Sequence, residues 1–240
     1  MAPLVILPTY DEADNIETVL RRVREAAPTA HVLVVDDGSP DGTAALAEKA
    51  GEHLGQVDVL RRTEKAGLGA AYRAGFAWGI ARGHDVLIEM DADLSHDPND
   101  LPALIAAVEH GADLAIGSRY VPGGSIPNWS WHRRMLSRWG NRYAAAALGL
   151  AVNDATAGFR AYRSSMLQAI EMDRVGAEGY GFQIEMTYEV VRRGGAVVEV
   201  PISFTDRVLG ESKMSGRIVF EALGLVTWWA VRKRLFRSRL

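Results

Sequence analysis

The 240-residue sequence contains no cysteine. Disulfides, thiol nucleophiles and thiolate-bound metal centres are therefore excluded, and an enzyme of this composition is expected in the cytoplasm. Neither sign of charge dominates, since 27 basic side chains face 30 acidic ones for a formal net charge of −3. A duplex-binding domain normally carries a basic stripe, so no nucleic-acid partner is expected. Long hydrophobic runs are missing too. The longest near the C-terminus, Ala222 to Val231, is about half of the roughly 20 residues that a spanning helix requires. No basic segment precedes the first apolar run, so no signal peptide is expected. The six histidines show no tight ligand spacing, and His96 reads as a surface or loop-stabilising residue rather than a zinc ligand.

What is present has the composition of one globular domain, with 48% hydrophobic and 24% charged residues. Short β-branched runs, Leu4 to Leu7 and His31 to Val35, flank a segment whose Ile16, Val19, Leu20 and Val23 recur at helical spacing. The alternation continues with a helix from Asp41 to Gly51, a strand from Val57 to Arg61, a helix from Gly69 to Arg82 and a strand from Asp85 to Met90. Such βαβ units predict an α/β fold with a mostly parallel sheet and helices on both faces. Further on, the pattern predicts a strand from Leu114 to Gly117, a loop from Arg119 to Trp131, a helix from Arg133 to Leu148 and a strand-like Ala157 to Tyr162. A helix from Phe182 to Arg193 and a strand from Ala196 to Val200 follow.

Ligands of open α/β sheets bind at the carboxyl ends of the strands, and here those ends are acidic. Pro8-Thr-Tyr-Asp-Glu12 follows the first strand, Asp36-Asp-Gly-Ser-Pro-Asp-Gly-Thr43 the second, and Asp91-Ala-Asp93 the Asp85 to Met90 strand. Two carboxylates at i and i+2 supply hard oxygen ligands for Mg²⁺ or Mn²⁺, although the tripeptide alone is better read as a chance helix cap. Asp36-Asp37 shifts the balance, because clustered acids repel unless a cation or a hydrogen-bonding ligand offsets them. Asp41 and Thr43 suit a helix cap, which leaves Asp37 for the ligand.

These turns, with Gly117-Ser-Arg-Tyr-Val-Pro-Gly-Gly124, Arg133-Arg-Met-Leu-Ser137, Asp154-Ala-Thr-Ala-Gly-Phe-Arg160, Gly179-Tyr-Gly-Phe-Gln183 and Arg207-Val-Leu-Gly-Glu-Ser-Lys213, resemble the family 2 inverting glycosyltransferases. Within that family they are most similar to the polyprenyl-phosphate (dolichyl-phosphate) mannosyltransferases, in order and over nearly the whole chain. The resemblance implies a GT-A fold, GDP-mannose as donor and a polyprenyl monophosphate as acceptor. It assigns Pro8, Tyr10, Glu12, Val35 and Asp37 to the guanosine, and Asp91, Ala92 and Asp93 to ribose, diphosphate and metal. Ser95 stands where some relatives carry a metal-ligating Gln, and its shorter hydroxyl leaves room for a water. Arg119, Arg133 and Ser137 go to the acceptor phosphate, while Arg207 and Lys213 bridge to the donor phosphates. A guanidinium fork suits phosphate oxygens, and a phosphate acceptor is already anionic near pH 7, so no general base is assigned.

The alternatives are a polyprenyl-phosphate glucosyltransferase using UDP-glucose, a family 2 transferase with a soluble sugar acceptor, and a non-catalytic nucleotide-binding regulatory module. The Gln-x-x-Arg-Trp motif of processive polysaccharide synthases is absent. Residues 1–216 are expected to form the catalytic domain. Residues 217–240 are expected to form an amphipathic helix with a basic tail that holds five of the 27 Lys and Arg residues. That helix either lies in an anionic membrane interface or packs on the domain. Trp129 and Trp131 either pack or meet isoprenoid units. The expected location is peripheral at the cytoplasmic face of the membrane, and the resemblance allows for a membrane-anchoring protein partner.

Overall fold

The structure is a computed structural model that describes residues 1–205 and 223–231. Seven strands form a single sheet in the order β3-β2-β1-β4-β6-β5-β7. They are β1 (Pro3–Thr9), β2 (His31–Asp36), β3 (Val57–Arg61), β4 (Val86–Glu89), β5 (Leu114–Ser118), β6 (Arg160–Arg163) and β7 (Val197–Pro201). All neighbours are parallel except β6, which runs antiparallel between β4 and β5. The strand-like stretch expected at Ala157 to Tyr162 is thus the one reversed strand, a direction that the βαβ pattern does not encode.

Alternate residues of each strand face opposite sides of a sheet. Leu4, Ile6, Leu33 and Val35 accordingly enter one buried cluster, and Val5, Leu7, Val32 and Val34 the other. The second cluster is closed by α1 (Ile16–Ala26), whose Ile16, Val19, Leu20 and Val23 are all buried, and by α4 (Leu101–Glu109). Burying each such side chain stabilises by about 1.5–3 kcal/mol relative to exposure. The first cluster is covered by α3 (Leu68–Ala81), α7 (Tyr180–Arg192) and the end of α5 (Trp131–Leu148). α2 (Thr43–Leu54) lies beside α1 and β3, and the short α6 (Ser164–Ala169) follows β6. Helix α3 rides close on the sheet because Gly75 and Gly79 have no side chain. A Cβ at Gly75 would stand 2.5 Å from Ile6 Cγ2, and one at Gly79 would stand 2.5 Å from Leu4 Cδ2.

Proline removes a ladder donor, yet Pro8 sits inside β1. It is tolerated because the β1–β4 ladder ends at Ile6–Glu89, two residues earlier. Beyond that point β1 stays paired with β2 alone, through Thr9 opposite Asp36, and then turns into the site. Residues 223–231 are helical, and Val226 is buried in the first cluster. The described part of the helix expected within residues 217–240 therefore packs on the domain.

Candidate active site

The turns after β1 and β2 are knitted together by side-chain hydrogen bonds. Thr9 Oγ1 donates to Asp36 at 2.9 Å, and the Ser39 backbone N–H and hydroxyl donate to the same carboxylate at 2.9 and 2.6 Å. Asp41 accepts from the Thr43 N–H and hydroxyl and from the Ala13 N–H, so it is the structural residue expected of it. Asp37 forms a 2.8 Å ion pair with Arg62. Burial raises the Asp37 carboxyl above its ordinary value, and the Arg62 charge opposes that rise. The expectation that Asp36-Asp37 needs a cation or ligand is therefore corrected, since the protein's own donors and Arg62 already offset both charges. Lys65 Nζ lies 3.8 Å above the Tyr10 ring, a contact that nothing in the sequence announced. Pro8, Tyr10 and Glu12 are half-buried at this edge, whereas the Val35 side chain points into the core.

The turn after β4 carries Asp91, Ala92, Asp93 and Ser95. Tyr72 Oη donates to Asp91 Oδ1 at 3.4 Å, and the Ser95 N–H donates to Asp93 Oδ1 at 3.0 Å. Between them Leu94 adopts φ +63°, a left-handed conformation that costs a non-glycine residue about 1–2 kcal/mol. His96 is buried and accepts the Asp91 N–H on Nδ1 at 3.2 Å. Burial lowers its pKa to about 4, so the ring is neutral and braces the turn, stacked on Phe159 with centroids 5.0 Å apart.

Among the described residues no group of three or more acidic or histidine side chains converges on a metal position. The donor set nevertheless fits a Mg²⁺ or Mn²⁺ ion that draws its remaining oxygens from a diphosphate and water. Asp91 and Asp93 offer hard carboxylate oxygens, and the Ser95 Oγ is buried with no hydrogen-bond partner among the described residues. Just beneath, Glu89 is fully buried beside Gln183, Tyr162 and Arg160. Burial pushes its pKa up to about 8, with the charge of Arg160 pulling back.

At the end of β5, Arg119 is 7% exposed and donates through Nε and Nη2 to the two Oδ atoms of Asp154, both at 2.7 Å. Burial works against the Arg119 charge, but Asp154 outweighs it and the pKa is raised. Arg119, assigned by the resemblance to the acceptor phosphate, is thus anchored to a buried acid. Nη2 also donates to Thr156 Oγ1 at 3.0 Å. Asn141 on α5 grips Thr156 at two points, donating to its hydroxyl at 3.1 Å and accepting its N–H at 3.0 Å. Glu199 on β7 holds the same loop by accepting the N–H groups of Asn153 and Asp154. Arg119 and α5 are thereby locked in one buried network.

Arg133 stacks its guanidinium 4.0 Å over the buried Trp129 ring, while Trp131 is 71% exposed. Arg119, Arg133, Ser137 and Trp129 come together on the wall of one cleft of about 680 Å³, open solvent at its mouth included. The rest of the wall is largely apolar, including Leu136, Ala144, Ile184, Leu223 and Val226. Phe204 ties the cleft to the β4 turn, for its ring contacts His96, Trp129 and Arg119 with centres 5.5 to 5.9 Å away. Arg207 and Lys213 lie outside the described residues.

Residues 4–171 match the sequence model described as Glycosyl transferase family 2. The chain belongs to that family. The transferase is 54% identical over 237 residues to the polyprenol monophosphomannose synthase of Mycolicibacterium smegmatis, covering 98% of this chain and 89% of that protein. It is 53% identical to the undecaprenyl-phosphate mannosyltransferase of Micrococcus luteus, covering 100% and 99%. The dolichol-phosphate mannosyltransferase of Pyrococcus furiosus is 38% identical, over 91% of this chain and 61% of that protein. Among solved structures, glucosyl-3-phosphoglycerate synthase from Mycobacterium tuberculosis with Mn²⁺, UDP-glucose and phosphoglyceric acid superposes with a TM-score of 0.74. That pair is 19% identical over 95% of this chain and 79% of the other, a likeness that establishes the fold as GT-A.

Sequence reasoning missed Asp154, Thr156 and Asn141 as the residues that hold this transferase's Arg119. A signal was there: Asp154 is the sole charged residue between Arg142 and Arg160, and a lone acid must be paired to be buried.

Proposed function

We propose that the transferase moves mannose from GDP-α-mannose to a polyprenyl monophosphate with inversion, giving polyprenyl-phosphate β-mannose. One observation carries the reading: cationic Arg119 and Arg133 with the Ser137 hydroxyl stand on the wall of a largely apolar cleft, linked through Phe204 to the Asp91/Asp93 turn. A phosphate ester of a long hydrocarbon fits that combination, whereas a soluble sugar calls for a polar wall.

In this mechanism the guanosine lies at the carboxyl ends of β1 and β2, against Tyr10, Glu12 and Asp37. Asp91 and Asp93 would hold the divalent ion, which would offset charge on the diphosphate when bound. Arg133 and Ser137 orient the acceptor phosphate, and Arg119, fixed by Asp154, keeps positive charge beside it. A phosphate oxygen forms a bond to the anomeric carbon as the bond to the GDP β-phosphate oxygen breaks, and the pair of electrons leaves with GDP. The monoester needs no proton removed, consistent with the absence of an assigned base. Arg207 and Lys213 are assigned to the leaving diphosphate on the family resemblance. The enzyme works from the membrane surface, where its acceptor resides.

The test incubates purified protein and Mg²⁺ with labelled GDP-mannose or UDP-glucose, with and without a short polyprenyl phosphate, and counts label in the organic phase. Label from GDP-mannose that depends on the lipid phosphate is expected. Label from UDP-glucose alone would overturn the donor, and transfer to a soluble sugar would overturn the acceptor.

A further inference from the structure

Helix α5 is built with its amphipathy reversed. Its inward stripe is partly polar, with Ser137 on the cleft wall and Asn141 buried against Thr156. Its outward side carries the large apolar residues: Trp131 is 71% exposed, Met135 61% and Trp139 54%. These three recur at i, i+4 and i+8, so they form one ridge about 12 Å long. A water-soluble helix that turns two tryptophans and a methionine outward has a partner for them.

The charges around the ridge say which partner. Although the chain as a whole is at −3, α5 contains no Asp or Glu and has Arg133, Arg134, Arg138 and Arg142. The adjoining helical residues 223–231 are tied to α5 by a 2.6 Å hydrogen bond between Tyr143 and Thr227, and they expose Trp228 at 55%. Leu136, 53% exposed, belongs both to this surface and to the cleft wall, so the cleft opens beside the ridge. Aromatic and aliphatic groups interleaved with cations match the interface of a bilayer with anionic headgroups. A second copy matches poorly, because a two-fold contact centred on this ridge would bring the arginines of two α5 helices together with no acid on either helix to pair them.

We propose that the outward face of α5, centred on Trp131, Met135 and Trp139 and flanked by Arg138 and Arg142, docks the enzyme on an anionic bilayer and presents the cleft mouth to the headgroup layer. The proposal rests on the polyprenyl-phosphate reading for its purpose and moves the membrane contact from the basic tail to a helix of the catalytic domain. A lipid phosphate then enters the cleft sideways, its headgroup reaching Arg133 and Ser137 and its first isoprenoid units meeting the apolar wall, while the rest of its chain stays in the bilayer.

The test is co-sedimentation of the full chain with vesicles of phosphatidylcholine alone or of equal parts phosphatidylcholine and phosphatidylglycerol, without substrate. Wild type is expected to pellet with the anionic vesicles only. The double substitution Trp131→Ser/Trp139→Ser weakens that binding at least tenfold, and Arg138→Gln with Arg142→Gln weakens it about fivefold per arginine. Both variants are expected to keep the wild-type melting temperature and the wild-type rate towards a short acceptor free in solution, citronellyl phosphate, but to slow on vesicle-embedded long-chain polyprenyl phosphate. Should the serine variant fail to fold, quenching of wild-type fluorescence by brominated phosphatidylcholine, and its reduction in Trp131→Phe/Trp139→Phe, decides the same point. Variants that bind anionic vesicles like wild type, equal wild-type binding to both vesicles, or a wild-type dimer that the variants dissociate would overturn the proposal. Vesicle binding as expected without mannosyl transfer to any lipid phosphate would uphold this surface and refute the assigned reaction instead.

Discussion

Removing Asp154 tests whether Arg119 is held by a buried ion pair or merely lies beside one. Asp154 is fully buried and Arg119 is 7% exposed, and the pair is bidentate, with an additional bond from the Arg119 backbone N–H at 3.0 Å. Breaking such a pair from one side strands the other charge and costs about 3–5 kcal/mol. At about 2–4 °C per kcal/mol for a chain of this size, Asp154→Ala is expected to melt roughly 10 °C below wild type. The double substitution Arg119→Met/Asp154→Leu removes both charges and replaces them with apolar volume, so most of that loss is expected to return. The stable double variant nevertheless loses transfer to the lipid phosphate, because the charge beside the acceptor is gone. Differential scanning calorimetry of wild type, Arg119→Met, Asp154→Leu and the double variant gives the coupling, expected at about 2 kcal/mol or more. An Asp154→Ala protein within about 1 kcal/mol of wild type, or single effects that simply add, would refute a desolvated pair whose members depend on each other.

Three further outcomes are expected. Asp93→Ala, which removes a carboxylate at the proposed metal position, abolishes turnover at any Mg²⁺ concentration, and retention of the wild-type rate would sink the metal assignment. Glu89 holds its proton to about pH 8 when folded but ionises near its ordinary value of 4.5 when unfolded, so wild-type stability falls as pH rises between those values. Glu89→Gln lacks that loss, and its melting advantage over wild type grows from pH 4.5 to 8 by a few kcal/mol and then levels; a difference independent of pH contradicts a neutral buried acid. Gly75→Ala drives a Cβ to 2.5 Å from Ile6 Cγ2 and is expected to cost about 1–3 kcal/mol in urea unfolding, whereas Gly83→Ala meets no atom within 4 Å and costs less, through its +76° φ alone.

Much of the frame was legible because it follows from period and position. Ile16, Val19, Leu20 and Val23 announce one helical face, and all four are buried on the sheet. The strands β1 to β3 lie where β-branched runs place them, and the acidic turns gather at their carboxyl ends. Helix α4 was overlooked although Leu101, Leu104 and Val108 carry its period; it is only nine residues long and opens with a proline in its first turn. The reversed direction of β6 left no trace in the sequence, for a four-residue strand contributes its hydrogen bonds equally well either way.

The chemistry was legible in kind but not in partnership. Asp36 and Asp37 read as acids awaiting a cation, yet Thr9 and Ser39 donate to the first while Arg62 pairs with the second. Arg119 read as a phosphate ligand, yet Asp154, 35 residues away, holds it. Trp129 and Trp131 are two residues apart and equivalent as symbols, but one is buried under Arg133 and the other faces solvent. The amino-acid sequence by itself determined the α/β alternation, the acidic edge and the family, because local period and residue order survive without any long-range contact. Which charges neutralise one another, and which face of α5 turns outward, was decided only by the tertiary structure, because desolvation and pairing depend on neighbours that the chain brings together from distant positions.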